Sequence, residues 1–303
     1  MAQSTRMEPQ DWALLILLSI IWGSSFLFGR IAVQEITPLT LSLGRVAIAA
    51  LALNLVLVVW KTNFAHSPRL WIDFTVMGIL NNIIPFSLIF YGQQEIGAGL
   101  AAIVNAMTPI WTLIFAHLAT SDERLSSAKT VGIAFGFLGV ATLIGWDALG
   151  GLSGSVLAQI AVLGATISYG VAGVFGRRFA QVPPMETARG QLTMSSVLLL
   201  PIALIVERPW NLAAPSLEAI ISMVALALLC SALAYILFFR ILARAGAVNV
   251  ALTTFLIPPS AVLMGIIFLD ENPALRQLGG LLLIMVGLII IDGRLLRAFK
   301  QKA

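Results

Sequence analysis

The chain has 303 residues, of which 59% are hydrophobic and 11% charged, and its formal net charge is +4. Because a typical soluble domain is roughly 25% charged, this composition excludes an ordinary water-soluble fold and predicts an integral membrane protein. The single cysteine, Cys230, excludes an internal disulfide and a multi-cysteine metal site. The positive residues are spread over short loops rather than gathered in one patch, so we expect no nucleic-acid partner. We also expect no bound metal and no cofactor.

Ten apolar stretches follow one another along the chain, and each is long enough to cross ~30 Å of hydrocarbon as a helix. They are separated by turn and charge clusters that lipid would reject, such as His66–Pro68, Asp122–Arg124 and Asp270–Pro273. The first stretch is about twice as long as the apolar core of a signal peptide, so we expect it to be retained. The predicted spans are 12–33, 38–60, 71–91, 98–118, 128–146, 154–176, 185–206, 217–240, 247–268 and 275–292.

Lysine and arginine residues predict the orientation of these spans. If the N-terminus is cytoplasmic, thirteen of them fall on the cytoplasmic side and only Arg30, Arg208 and Arg276 on the other. This is the bias that the positive-inside rule describes. An even number of spans returns the C-terminus to the cytoplasm, so we expect a multi-pass membrane protein with both termini inside.

The second five spans resemble the first five. Trp22-Gly23 followed by Phe28–Arg30 matches Tyr169-Gly170 followed by Phe175–Arg177 at a constant offset. Since five is odd, two halves of five spans must point in opposite directions across the membrane. We therefore predict an all-α membrane protein of ten transmembrane helices, built as two inverted five-helix repeats around a central cavity. The repeats are expected at 1–147 and 148–303, and together they form one membrane domain.

Further landmarks recur in both halves in the same order. They are Pro109, Glu123, Gly132 and Gly139 in the first half and Pro258, Glu271, Gly280 and Gly287 in the second. With the Thr108–Trp111 and Ile257–Pro259 strings, they resemble the repeat unit of the EamA family in the drug/metabolite transporter superfamily. The resemblance implies ten helices, two inverted repeats and export of small metabolites. Within the family, the chain is most similar to bacterial exporters of aromatic amino acids.

Six spans carry polar or aromatic side chains at mid-depth, where lipid is a poor partner for polar groups. We expect spans 1, 3, 4, 6, 8 and 9 to line a shared cavity and the glycine-rich spans 5 and 10 to serve as close-packed scaffold. The predicted substrate-binding residues are Trp22, Asn81, Asn82, Asn105, Thr108, Trp111, Tyr169, Ser231, Tyr235 and Thr254. The predicted hinges or kinks are Pro85, Pro109, Pro258 and Pro259.

Each of these residues also has a simpler interpretation. Serine and threonine in a span commonly bond to their own backbone, aromatic rings can face lipid or the core, and a proline can kink a helix without a functional role. Arg45 lies inside the second span and could cap a loop carbonyl, pair with Glu35 or Glu95, or bind a substrate carboxylate.

These patterns predict a secondary transporter, not an enzyme, that exports small amphipathic metabolites by alternating access and works as a monomer. We expect aromatic or other neutral amino acids as substrates. The alternatives are a multidrug or organic-cation exporter and, less favoured, a phosphate-ester or nucleotide-sugar exchanger, because the spans hold few deep Lys or Arg to bind several negative charges. A lipid-modifying enzyme is disfavoured because His66 and His117 both lie away from mid-depth.

No Asp, Glu or His occupies the middle third of a predicted span. Proton-coupled carriers place a titratable group on the transport path, so we expect facilitated or electroneutral movement rather than a deep proton relay.

The orientation can be tested with topology reporters. Fusions after residues 65, 125 and 180 should report the cytoplasm, and fusions after residues 95, 150 and 210 should report the exterior, because of the Lys and Arg bias. A consistent reversal of all six would contradict the predicted orientation, and a mixed pattern would contradict the inverted repeat.

Overall fold

The computed structural model describes residues 7–59, 67–119, 125–145 and 153–293, and these are helical apart from short connections. The predicted repeat boundary at 147 and 148 falls outside the described residues. Among the described helices, nine are long and apolar enough to cross a membrane, and one more is apolar with 17 residues. They are α1 Pro9–Ala32, α2 Pro38–Val59, α3 Pro68–Gln93, α4 Ala98–Ala119, α5 Ser127–Ile144, α6 Gly154–Phe179, α7 Pro184–Glu207, α8 Leu217–Ala245, α9 Thr253–Leu269 and α10 Leu275–Asp292.

Most helix starts agree with the predicted spans because proline and serine mark them. Pro38 and Pro184 are the first residues of α2 and α7, where the missing N–H costs nothing. Ser153 and Ser216 cap α6 and α8 through their hydroxyl oxygens. Large apolar side chains such as Leu55, Ile205 and Phe268 are exposed along the outer surface, as expected of helices that face lipid.

The ninth span differs from its prediction. The chain first forms a short helix, Ala247–Val250, then a turn, and α9 begins only at Thr253. Helix α9 then runs without interruption through Pro258 and Pro259, which were predicted as hinges or kinks. The fourth span is interrupted in the same way, because its helical segments Ala98–Asn105 and Thr108–Ala119 are separated by a turn.

Two helices contain π-helical segments at matching places in the two halves. The segment Ile79–Ile83 lies within α3, and Leu228–Leu233 lies within α8. Pro85 follows the first segment and has no N–H to donate to Leu80 five residues earlier. The hydroxyl of Ser168 on α6 donates to that Leu80 carbonyl at 2.7 Å. The π segment therefore accommodates a proline and links α3 to α6.

Helix packing is symmetric under exchange of the halves. In the first half α1 packs on α8 and α9, and the equivalent helix α6 packs on α3 and α4. Three of the remaining large interfaces pair a helix with its own equivalent: α2 with α7, α4 with α9 and α5 with α10. Two more, α2 with α8 and α3 with α7, are exchanged with each other by the same symmetry. The structure is thus two inverted five-helix repeats whose principal contacts all cross between them.

Glycines bring α5 and α10 into backbone contact. A Cβ built at Gly139 would lie 2.8 Å from the carbonyl oxygen of Gly280, and one at Gly132 would lie 2.6 Å from that of Gly287. Because Gly132 corresponds to Gly280 and Gly139 to Gly287 in the repeat, the two contacts are related by the same symmetry. The prediction that the fifth and tenth spans are close-packed agrees with this geometry.

Neighbouring glycines on α10 allow a matched test of this interface. Gly280→Leu should lower the thermal midpoint of the detergent-solubilised protein, because a Cβ there would lie 2.6 Å from Leu143 and 2.9 Å from the Gly139 carbonyl. Such overpacking costs about 1–3 kcal/mol. Gly279→Leu is the control, since a Cβ at Gly279 meets nothing within 4 Å. Equal midpoints for the two variants would contradict the proposed contact.

Candidate functional site

A cavity of about 440 Å³ lies between the two repeats. Its wall is formed by residues from α1, α2, α3, α4, α6, α7, α8 and α9, whereas α5 and α10 contribute none of the residues that line it. The volume is in the range of sites that take small organic molecules. This arrangement agrees with the scaffold role predicted for α5 and α10, because the two helices pack on each other and lie outside the cavity wall.

Eight of the ten predicted binding residues lie in the cavity wall. They are Trp22, Asn81, Asn105, Thr108, Tyr169, Ser231, Tyr235 and Thr254. Of the predicted hinges, Pro109 and Pro258 also line the cavity, and Pro85 and Pro259 do not. The polar and aromatic residues at mid-depth in the predicted spans therefore include most of the polar residues in the cavity wall.

Asn82 and Trp111 were predicted in the wall and lie outside it. Asn82 is fully buried, and its Nδ2 donates to Ser195 Oγ at 3.0 Å between α3 and α7. Trp111 packs its ring against Phe115 and Phe137. Both residues have the predicted depth, but each points from its helix toward a neighbouring helix rather than toward the cavity.

The prediction that six spans line the cavity was incomplete, because α2 and α7 contribute as well. Arg45 on α2 and Thr187 and Gln191 on α7 are wall residues. The signal in the sequence was weak, since Arg45 is one of few polar groups in the apolar helix α2, and only two of the several polar residues near the start of α7 reach the wall. Six of the other wall residues that were missed are aromatic: Phe26, Phe86, Phe90, Phe179, Phe238 and Phe239.

Two hydrogen-bonded clusters face the cavity at equivalent places in the two repeats. Asn81, in the π segment of α3, donates through Nδ2 to Gln191 Oε1 at 3.0 Å and to the Tyr235 hydroxyl at 3.4 Å. Arg45 donates through Nε to Ser231 Oγ at 3.0 Å, in the π segment of α8. Each π segment therefore presents its polar side chain to the helix α7 or α2 of the opposite repeat, as π-helical turns at functional sites commonly do.

The cavity extends toward one end of the bundle and stops short of the other. Wall residues Phe179, Thr187 and Thr254 lie within the terminal turns of α6, α7 and α9. At the other end the floor is formed by Phe26 and Phe90. We call the end reached by the cavity the open face and the opposite end the capped face.

Below this floor, polar contacts join α1 and α3. Gln93 is buried and donates through Nε2 to the Phe26 carbonyl at 2.7 Å. Arg30 donates to the carbonyls of Gln93 and Gln94. These bonds satisfy the backbone carbonyls near the helix ends and close the cavity from the capped face.

Three glutamates at the capped face bind helix N-termini of the opposite repeat. Glu207 accepts the backbone N–H groups of Leu39 and Thr40 at 2.9 and 2.7 Å, at the start of α2. Glu271 accepts those of Ala98 and Gly99 at 2.6 and 3.0 Å, at the start of α4. A helix N-terminus has unsatisfied N–H groups and a partial positive charge, so a carboxylate is a favourable partner.

Glu35 is the third glutamate, and it binds the start of α8. Its carboxylate accepts the backbone N–H of Ser216 at 2.6 Å and the Ser216 hydroxyl at 2.8 Å. The backbone hydrogen bond, with that of the hydroxyl, lowers the pKa of Glu35 from its ordinary value. Among the described residues Arg45 forms an ion pair with neither Glu35 nor Glu95, so the predicted alternative of an ion pair with one of these glutamates is wrong.

An inverted ten-helix repeat around a midplane cavity defines a class of membrane carriers. The sequence pattern of the EamA-like transporter family matches residues 12–145 and again residues 156–292. The chain therefore belongs to the EamA-like transporter family, and it is a multi-pass membrane transporter. Each of the two matches covers one five-helix repeat.

Three similar proteins are transporters by name. The uncharacterized transporter YvbV of Bacillus subtilis (strain 168) is 29% identical over 92% of this chain and 90% of its own length. YoaV of the same organism, also an uncharacterized transporter, is 24% identical over 91% and 94%. The uncharacterized inner membrane transporter YedA of Escherichia coli (strain K12) is 27% identical over 83% and 80%.

One solved crystal structure of a protein shares the fold. It superposes with a TM-score of 0.67, covers 96% of this chain and 99% of its own, and is 16% identical in sequence. The agreement over the whole length shows that the ten-helix architecture is common to both proteins.

Proposed function

We propose that this transporter exports small amphipathic metabolites, above all aromatic or other neutral amino acids, across a bacterial inner membrane by alternating access. The observation that carries the proposal is the cavity between the repeats, whose wall combines nine aromatic side chains with clustered polar groups. Such a wall matches a molecule with an apolar body and one polar end.

The charge of the wall supports amino acids over the two alternatives. Arg45 is its one charged residue, and it holds no Asp or Glu among the described residues. An organic cation would meet a like charge with no carboxylate to balance it. A phosphate ester or nucleotide sugar carries two or more negative charges and would need more cationic donors than one arginine.

The two faces support alternating access. The cavity reaches the open face, and the three glutamate contacts between the repeats lie at the capped face. Because the helix contacts are symmetric under exchange of the repeats, exchanging their conformations would close the open face and open the capped one. With both termini cytoplasmic, the state described here faces the cytoplasm, from which an exporter loads its substrate.

Counterflow in proteoliposomes tests the proposed substrate class. Vesicles that contain the purified protein and are loaded with unlabelled phenylalanine or leucine should accumulate the same amino acid, labelled, from outside. Exchange requires only that the labelled and unlabelled molecules use the same binding site. Protein-free vesicles give the background. A quaternary ammonium compound and glucose 6-phosphate are tested in the same assay, as representatives of the two alternative substrate classes. Exchange of either competitor without exchange of any neutral amino acid would contradict the proposal.

A further inference from the structure

We propose that Arg45 selects the substrate of this transporter by binding its carboxylate, which restricts the transported class to monocarboxylates with an apolar body. The inference rests on the proposed function, and it assigns a specific chemical role to one residue of the cavity. Four features of the structure support it: the burial of Arg45, its fixed orientation, the absence of a counter-ion among the described residues, and its neutral equivalent in the other repeat.

Arg45 is buried, with 8% of its surface exposed, yet it belongs to the cavity wall. A buried charge without a partner costs several kcal/mol in proteins after relaxation. Such a residue is retained at a membrane midplane when it faces a cavity that a charged ligand can enter. The location therefore indicates a ligand of opposite charge.

The guanidinium is held in a defined orientation. Its Nε donates to Ser231 Oγ at 3.0 Å, and Ser231 in turn donates to the Leu226 carbonyl at 3.0 Å. The ring of Phe86 lies under the guanidinium, with Cζ 3.9 Å from the ring centroid. Nε and one face are thus occupied, and the two terminal nitrogens are left as the available donors.

No protein group within the described ranges satisfies those two nitrogens. Neither Nη1 nor Nη2 of Arg45 makes a hydrogen bond or ion pair there, and neither is sealed off from the cavity. Neither of the two glutamates predicted as partners, Glu35 and Glu95, forms an ion pair with Arg45 among the described residues, and Glu35 is bound to Ser216 instead. Two parallel N–H donors in a fixed plane match the two oxygens of a carboxylate.

The other repeat carries no such charge. Arg45 is the eighth residue of α2, and Gln191 is the eighth residue of the equivalent helix α7. Gln191 binds Asn81 in the π segment of α3, as Arg45 binds Ser231 in the π segment of α8. The pseudo-symmetric cavity thus has one cationic site and one neutral site, which fits a substrate with a single anionic group.

Matched ligand pairs test this role in the wild-type protein. L-phenylalanine and 3-phenylpropionate carry a carboxylate, and phenethylamine has the same ring without one. Binding to the purified protein, measured by calorimetry, should be at least about 10-fold tighter for the two carboxylates than for the amine. Equal or tighter binding of phenethylamine would overturn the proposal without the need for any variant.

Variants then assign the preference to Arg45. Arg45→Gln should weaken binding of 3-phenylpropionate by about 10- to 100-fold and leave phenethylamine unchanged or tighter, and Arg45→Lys should recover part of the loss. Arg240→Gln is the charge-matched control, because Arg240 is exposed on α8 and outside the wall. Unfolding midpoints of all variants show whether each is folded.

The outcomes separate the two proposals. If the wild-type protein and the Arg45→Gln variant exchange phenylalanine equally well, the protein remains an amino-acid transporter but has no carboxylate site at Arg45. A wild-type protein that binds and exchanges none of the three probes, nor leucine, removes both the proposed function and the inference built on it.

Discussion

Carboxylates bound to helix N-termini hold the two repeats together at one face, and the shape of the cavity depends on them. Glu207 and Glu271 reach from the second repeat to α2 and α4, and Glu35 reaches from the first repeat to α8. Hydrogen bonds to a charged acceptor contribute about 1.5–3 kcal/mol each when water is excluded, and less when it is not. The close approach of Glu271 also requires Gly97, since a Cβ there would collide with the carboxylate. With this face closed, the cavity is left accessible from the other.

The helix packing of this fold is symmetric between the two repeats, whereas the side chains that line the cavity are not. Glycine contacts between α5 and α10, and the pairing of α2 with α7, obey the exchange of repeats. The cavity does not, because Arg45 and Gln191 occupy equivalent positions with different charge. Under the proposed alternating access, symmetry of the backbone would give the carrier two conformations of similar energy, and asymmetry of the side chains would give its substrate one orientation.

Much of this architecture could be predicted from sequence, because apolar length fixes the spans and the recurring Gly, Pro and Glu landmarks fix the repeat. The residues of the cavity wall were harder to predict, since the depth of a residue along a helix does not show toward which side of the helix its side chain points. Asn81 and Asn82 share a level, yet only Asn81 faces the cavity, and an intervening π segment makes simple helical spacing unreliable there. Three roles were left open for Arg45. Gln191 was missed because α7 carries several polar residues near its start, and their order along the helix does not show which of them faces the cavity.

Access to the cavity from both faces is the central claim, and cysteine labelling measures it directly. In a protein with Cys230 replaced, a cysteine at Asn105 in the wall should react with a membrane-impermeant thiol reagent from either side of the membrane. A bifunctional thiol cross-linker between cysteines at Thr40 and Glu207, whose side chains are in contact, should abolish labelling from the capped face and preserve it from the open face. Absence of labelling from the capped face before cross-linking would contradict alternating access.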